Sequence, residues 1–278
     1  MSRKWARLLL ATMKILDFYA EIARALDDYA DNGYDGKDRL DYWLGRLRMA
    51  ADQAAPDNNK INAMMRRALA RVVKTAISPT SLKRHHPTLR RYTVQRVGHI
   101  AAPLLEQRIL AGVDLIRLNR DQSIEKVLQR FTGLVTSIPE GGTRTLERGE
   151  AKRAIGKSLR QMSFEERRVV IDQGHKLTAA IQRTVAEDGN AIAAIWHSHW
   201  RRPGYHYRED HKERDEKVYA IRGNWALNEG LMKAGPAGYT DEITQVGEEP
   251  FCSCYYQYIY NINSLPDDMR TRKSYDAA

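Results

Sequence analysis

The residues of this chain with the most chemical reach crowd into one stretch. His197 and His199 lie two apart, a spacing that puts both side chains on one face of a strand. His206 and His211 follow, close to Asp210 and Asp215, and Cys252 and Cys254 form a C-x-C. Imidazole and thiolate are zinc ligands, and a C-x-C with His211 supplies three of the four positions of a tetrahedral site. The strong zinc signatures mostly space their cysteines as C-x2-C, and a C-x-C disulfide closes a very tight ring. The expectation is therefore free thiols packed in an aromatic turn, with a zinc ion on His211, Cys252 and Cys254 as the other outcome. His197, His199, His211 and Asp215 also offer a hydrolytic alternative, a metal that activates water as in a nuclease. No phosphate-binding loop, nucleophile elbow or dinucleotide fingerprint accompanies them. Trp196 and Trp200, which flank the first histidine pair, read as core.

The chain has 278 residues, with 45 Lys+Arg against 35 Asp+Glu and a net charge of +10. The excess is local. No acid stands between Asp57 and Glu106, and the gap holds Lys60, Arg66, Arg67, Arg71, Lys74, Lys83, Arg84, Arg90, Arg91 and Arg96. Such a block marks a surface for an acidic partner, either nucleic acid or an acidic protein face. Two cysteines exclude a disulfide scaffold. No apolar run approaches the ~20 residues that span a membrane. Lys14 and Asp17 interrupt the apolar stretch after Leu8, so the N-terminus is not read as a signal peptide.

The elements that must position these groups change in texture along the chain. Leu8, Ala11, Ile15, Phe18, Ile22 and Ala25 repeat at steps of three and four, one apolar stripe of a helix. Further helices are expected over Lys37–Ala54 and Asn58–Ile77, the latter turning Ile61, Met65, Ala68, Val72 and Ala76 inward and Lys60, Arg67, Arg71 and Lys74 outward. Around Pro79, His85, His86 and Pro87 the pattern suggests a loop or arm. Helix is expected again from Leu89 to Thr136 with a break or kink near Pro103, a linker at Pro139–Gly142, and a short helix over Gly149–Leu159. Ser163 and Glu166 have capping-box spacing and should open a helix to Gly189. Beyond it, short aromatic runs between glycines imply strands. The fold class is thus α+β and predominantly helical, a helical N-terminal half followed by a compact C-terminal module with short strands. The expected divisions are a helical region 1–140 with its basic segment at 58–105, a module over 141–265, and a loose polar tail at 266–278.

The run Arg208-x-x-His211-x-x-Arg214-Asp215-x-Lys217-Val218, about 30 residues with glycines, and Pro250-Phe251-Cys252-Ser253-Cys254 resemble the C-terminal domain of the phage Mu protein F-like head-morphogenesis family. The resemblance covers roughly residues 150–262. Two positions depart from the family pattern. Glu216 stands where the family usually has Gly, and Ser253 where it usually has Arg. The resemblance implies a non-enzymatic virion protein, made with the capsid and seated near the portal and packaged double-stranded DNA. Portal or other capsid proteins would be its partners, and it would be oligomeric within the virion. Arg208, His211, Asp215, Lys217, Pro250, Cys252 and Cys254 would form the module's structural motif. Some relatives carry toxin or transferase domains behind this module, and the stretch after Ile262 is too short to hold one. A head–tail connector or an ejected internal DNA-binding protein is the neighbouring alternative.

Overall fold

A computed structural model describes residues 15–54, 58–89 and 94–276. Leu8, Ala11, Lys14, Arg90 and Arg91 lie outside the described residues. Among the described residues, seven helices precede the first strand: α1 (Ile15–Asn32), α2 (Lys37–Ala54), α3 (Asn58–Ala76), α4 (Pro79–His85), α5 (Val94–Val135), α6 (Arg148–Ile155) and α7 (Lys157–Asp188). Then come β1 (Ala193–His197), α8 (Glu209–Glu213), β2 (Val218–Ala220), α9 (Trp225–Asn228), β3 (Tyr255–Ile259) and α10 (Arg272–Asp276). The fold is predominantly helical α+β. Among the described residues no helix is long and apolar enough to cross a membrane.

Two compact units divide the chain, residues 1–64 with 112–169, and residues 65–111 with 170–278. In the first, Phe18, Ile22 and Ala25 of the stripe read from sequence are buried, and with Leu26 and Tyr29 they pack with Leu40, Trp43 and Leu47, and with Val127, Phe131 and Val135. Asp28 accepts hydrogen bonds from the Trp43 indole and the Arg39 guanidinium, which holds its carboxyl below the usual range against the cost of burial.

The expected linker at Pro139–Gly142 is instead docked inside this unit. Thr143 N–H donates to Ala30 O at 2.8 Å and Gly141 N–H to Asn32 O at 3.2 Å. Gly33 and Gly142 both have positive φ, and a Cβ on Gly142 would sit 2.4 Å from Ala30 O. Only glycines allow the two turns to approach so closely. The division expected at 140/141 therefore falls within a unit. Glu166 departs from the expected capping box as well: α7 begins at Lys157, and Glu166 is a buried partner of Arg120. The break near Pro103 is also absent, since α5 runs through it. Pro103 and His99, whose carbonyl loses an amide partner there, are both exposed, so water can satisfy it.

The second unit is built on an antiparallel sheet of order β2-β1-β3. Ala193 pairs with Ala220 on one side and Ile259 on the other, and Trp196 pairs with Tyr256. One face buries Ala194, Trp196, Tyr219, Tyr256 and Tyr258. The other buries Ala193, Ala220, Met232, Ile259, Leu265 and Met269. With both faces covered, β1 reads as an unbroken apolar run rather than an alternating one. Met269 is 1% exposed, and Lys233 N–H donates to its carbonyl. So the expected loose tail enters this core at Met269, and Ser274 is buried beyond it.

The expected arm after α3 is also docked. Ser78 caps α4 by accepting from Ser81 N–H. His85 Nδ1–H donates to Tyr256 O at 2.9 Å, against β3. His86 lies between Gln182 and Tyr260. Gln182 spends its amide N–H on Ala76 O, so its oxygen must accept, and His86 carries its proton on Nε2. Helix periodicity could not foresee this, because the anchors are histidines.

Candidate functional site

The C-x-C and His211 meet. Short helix α8 carries His211 inward, 1% exposed, with its ring edge-on to Trp196 at 5.2 Å. The segment before β3 brings in Cys252 and Cys254, both buried and free. Cys252 Sγ lies 3.7 Å and Cys254 Sγ 3.5 Å from the same atom, His211 Nδ1. Ligand atoms of all three residues fall within 4.8 Å of one another, a group able to hold a metal ion.

The other ring nitrogen, Nε2, is buried without a hydrogen-bond partner. It faces the Glu249 carboxylate at 3.6 Å and that of Asp210 at 3.9 Å. Arg208 grips Glu249 and donates to Pro250 O at 3.2 Å. A histidine with donor atoms at one nitrogen and a carboxylate behind the other is the arrangement that orients metal-bound imidazoles.

Electrostatics favour one thiolate in the pair. A hydrogen bond from Cys254 holds the Cys252 thiol well below the usual thiol range, helped by His211 and by the backbone N–H groups of Gly247 and Cys254. The same bond, with burial, pushes Cys254 up. Gly247 can approach only because it lacks a side chain: its φ is +78°, and a Cβ would lie 2.9 Å from Ala179 Cβ. Phe251 also has positive φ, 61°, an outlier for an aromatic residue. Its N–H donates to the Asp172 carboxylate at 2.6 Å, which secures the turn that presents Cys252.

The remaining motif residues frame the site without entering it. Both carboxylate oxygens of Asp215 are engaged, by Ser198 N–H and by the Trp200 indole, each at 2.8 Å. Lys217 is exposed, and its carbonyl accepts from Trp196 N–H. Glu216, where the resemblance leads one to expect a glycine, has a positive φ of 67°. Ser253 packs its hydroxyl near His175 Nδ1. His197 and His199 do not join His211. They flank Tyr255, with ring centroids 4.9 Å and 5.8 Å away. Among the described residues, His197, His199, His211 and Asp215 form no common ligand group. Sequence reasoning missed Glu249, Gly247 and Asp172. Only Glu249, beside the Pro-x-Cys run, had a local signal.

The basic residues are exposed at Lys60, Arg66, Arg67, Arg71, Lys74, Lys83, Arg84 and Arg96. Acids distant in sequence offset two of them: Arg66 pairs with Glu106, and Arg96 with Asp188 at 2.8 Å. Lys83 and Arg84 extend the surface on α4 rather than on a loop. Lys60 belongs to the first unit and the others to the second.

No protein family, curated protein or solved structure matches this chain.

Proposed function

We propose that this chain is a non-catalytic structural protein of a bacteriophage head, similar in its C-terminal module to the Mu F-like minor head proteins. A zinc ion on His211, Cys252 and Cys254 ties that module together. The observation that supports this best is the meeting of the two motif halves, with two sulfurs nearly equidistant from one imidazole nitrogen. A zinc tetrahedron with bonds of roughly 2.3 Å to sulfur and 2.0 Å to nitrogen has an S-to-N edge of about 3.5 Å. The separations of 3.7 and 3.5 Å fit that edge. Bound there, zinc would supply a cross-link between α8 and the segment that leads into β3. His211 offers Nδ1 while Glu249 faces Nε2, and backbone N–H groups support the Cys252 thiolate.

The basic face of α3 and α4 meets packaged double-stranded DNA through its phosphates, in the capsid interior or at the portal vertex. Contacts of this kind are blind to sequence. Portal or other capsid proteins are the partners, in several copies per particle. Quantitative mass spectrometry of DNA-filled heads, with a portal-focused reconstruction, tests this. The expected result is a few copies per particle beside the portal. Density in the tail, or loss of the protein with the ejected DNA, would instead give the connector or internal-protein reading. DNA cleavage by the zinc-loaded chain would overturn the non-catalytic reading.

A further inference from the structure

A second concave feature lies in the same unit, with a volume of about 220 Å³. Its polar walls are Arg84 from α4, His175, Thr178 and Gln182 from α7, and His199 and Arg202 beyond β1. No carboxylate lines it. Two guanidiniums in a concave wall without acids focus positive potential into the space between them.

Arg84 is held in place, its guanidinium 4.0 Å over the Tyr255 ring. Among the described residues, neither Arg84 nor Arg202 has an ion-pair partner. Among the described residues, His199 Nδ1, on a lining residue, is buried with no hydrogen-bond partner. Leaving such a group unmade costs about 1–3 kcal/mol, so native structures rarely do so. The imidazoles of this wall do not converge as metal ligands, and the guanidiniums would repel a cation.

We propose that this cleft binds a phosphate-class oxyanion between Arg84 and Arg202, with His199 as a further polar contact. Guanidinium groups match the oxygens of phosphate in charge and spacing. The volume is below the roughly 300 Å³ of pockets that hold drug-sized ligands, a size that suits a free phosphate or a terminal phosphomonoester. The cleft shares Arg84 with the basic surface of α3 and α4, whose other contacts would be to phosphodiesters along a duplex.

Isothermal titration of the full, metal-replete chain with inorganic phosphate tests the site. A second arm compares a 5′-phosphorylated dinucleotide with its 5′-hydroxyl form. Saturable phosphate binding is expected, weakened roughly tenfold or more by Arg84→Gln and again by Arg202→Gln. Both side chains are exposed, and an unchanged Tm verifies that the variants fold. Tighter binding of the 5′-phosphorylated dinucleotide than of free phosphate identifies a nucleic-acid end as the source. Equal binding identifies the free ion. No saturable heat, or equal affinity in the double variant, overturns the proposal.

Discussion

His211 Nδ1 and Cys254 Sγ stand 3.5 Å apart although 43 residues separate them in the chain. The intervening segment holds β2, α9 and a series of glycine turns. Its two ends are pinned where an imidazole, two thiols and the Glu249 carboxylate meet.

The purified protein is expected to hold one zinc per chain by elemental analysis. Cys252→Ser and Cys254→Ser should each abolish stoichiometric zinc. Glu249→Gln should retain it with affinity lowered about 10–100-fold, as for other partners that orient a ligating histidine. Chelation should lower the Tm of the wild type more than that of either serine variant. Zinc retained in full by both serine variants would remove the site.

Glu216→Gly should stabilise the protein by roughly 1 kcal/mol, because a residue with a Cβ is disfavoured in the left-handed conformation found there. Urea midpoints report the change. A loss of stability would mean that the Glu216 side chain, 3.8 Å from Arg201, contributes more than its strain.

Burial holds His86 down to about 4, from an ordinary 6.5. Between these values the unfolded chain binds a proton that the folded chain refuses. Stability from this group is therefore complete above pH ~6.5 and falls as the pH drops toward 4. The full effect is on the order of 3 kcal/mol. His85 is shifted in the same direction, also by burial. Unfolding midpoints from pH 7.5 to 5 should slope more steeply in the wild type than in His86→Gln. Parallel slopes would rule His86 out as the source.

Gly141 and Gly142 both have positive φ, but a Cβ on Gly141 meets nothing within 4 Å. Gly141→Ala should cost about 1 kcal/mol, the conformational part alone. Gly142→Ala should cost at least ~2 kcal/mol, since the Ala30 carbonyl must also move. Equal losses would show that the turn yields more readily than its packing implies.

Duplex DNA affinity should fall with salt by ~0.9 log units per tenfold for each phosphate engaged. Lys74→Gln or Lys83→Gln should each reduce that slope by about one phosphate. Arg66→Gln should change it less, because Glu106 already holds that charge. Fluorescence anisotropy at several salt concentrations measures this. A salt-independent affinity would exclude the phosphate contacts.

Much of the fold was legible where one kind of contact dominates. Phe18, Ile22 and Ala25 declare their face by spacing alone, and the three strands fall within the aromatic runs read as strand-like. The rest depends on contacts far apart in the chain. Nothing near Arg66 reveals that Glu106 will offset it, and nothing near His86 reveals Gln182. Pro103 fails as a helix breaker because its side of α5 is exposed, which no local pattern reports. The site was legible in its ligands, since thiols and imidazole are scarce and specific. Glu249, Gly247 and Asp172 were not, because their types are common and their roles lie in orientation and close approach. His197 and His199 had the right chemistry but took places beside Tyr255.

The strand order β2-β1-β3 also sets a sequence of events during synthesis. β1 leaves the ribosome first and becomes the centre of the sheet, yet one neighbour, β3, is made about sixty residues later. Until then the nascent chain lacks the Tyr256 ring that packs on Trp196, and one side of β1 has no partner. A product released before Tyr255 would keep that open edge, which is a template for pairing with another chain. Completion of the last strand thus caps the sheet, buries the tyrosines and delivers both thiols in one step.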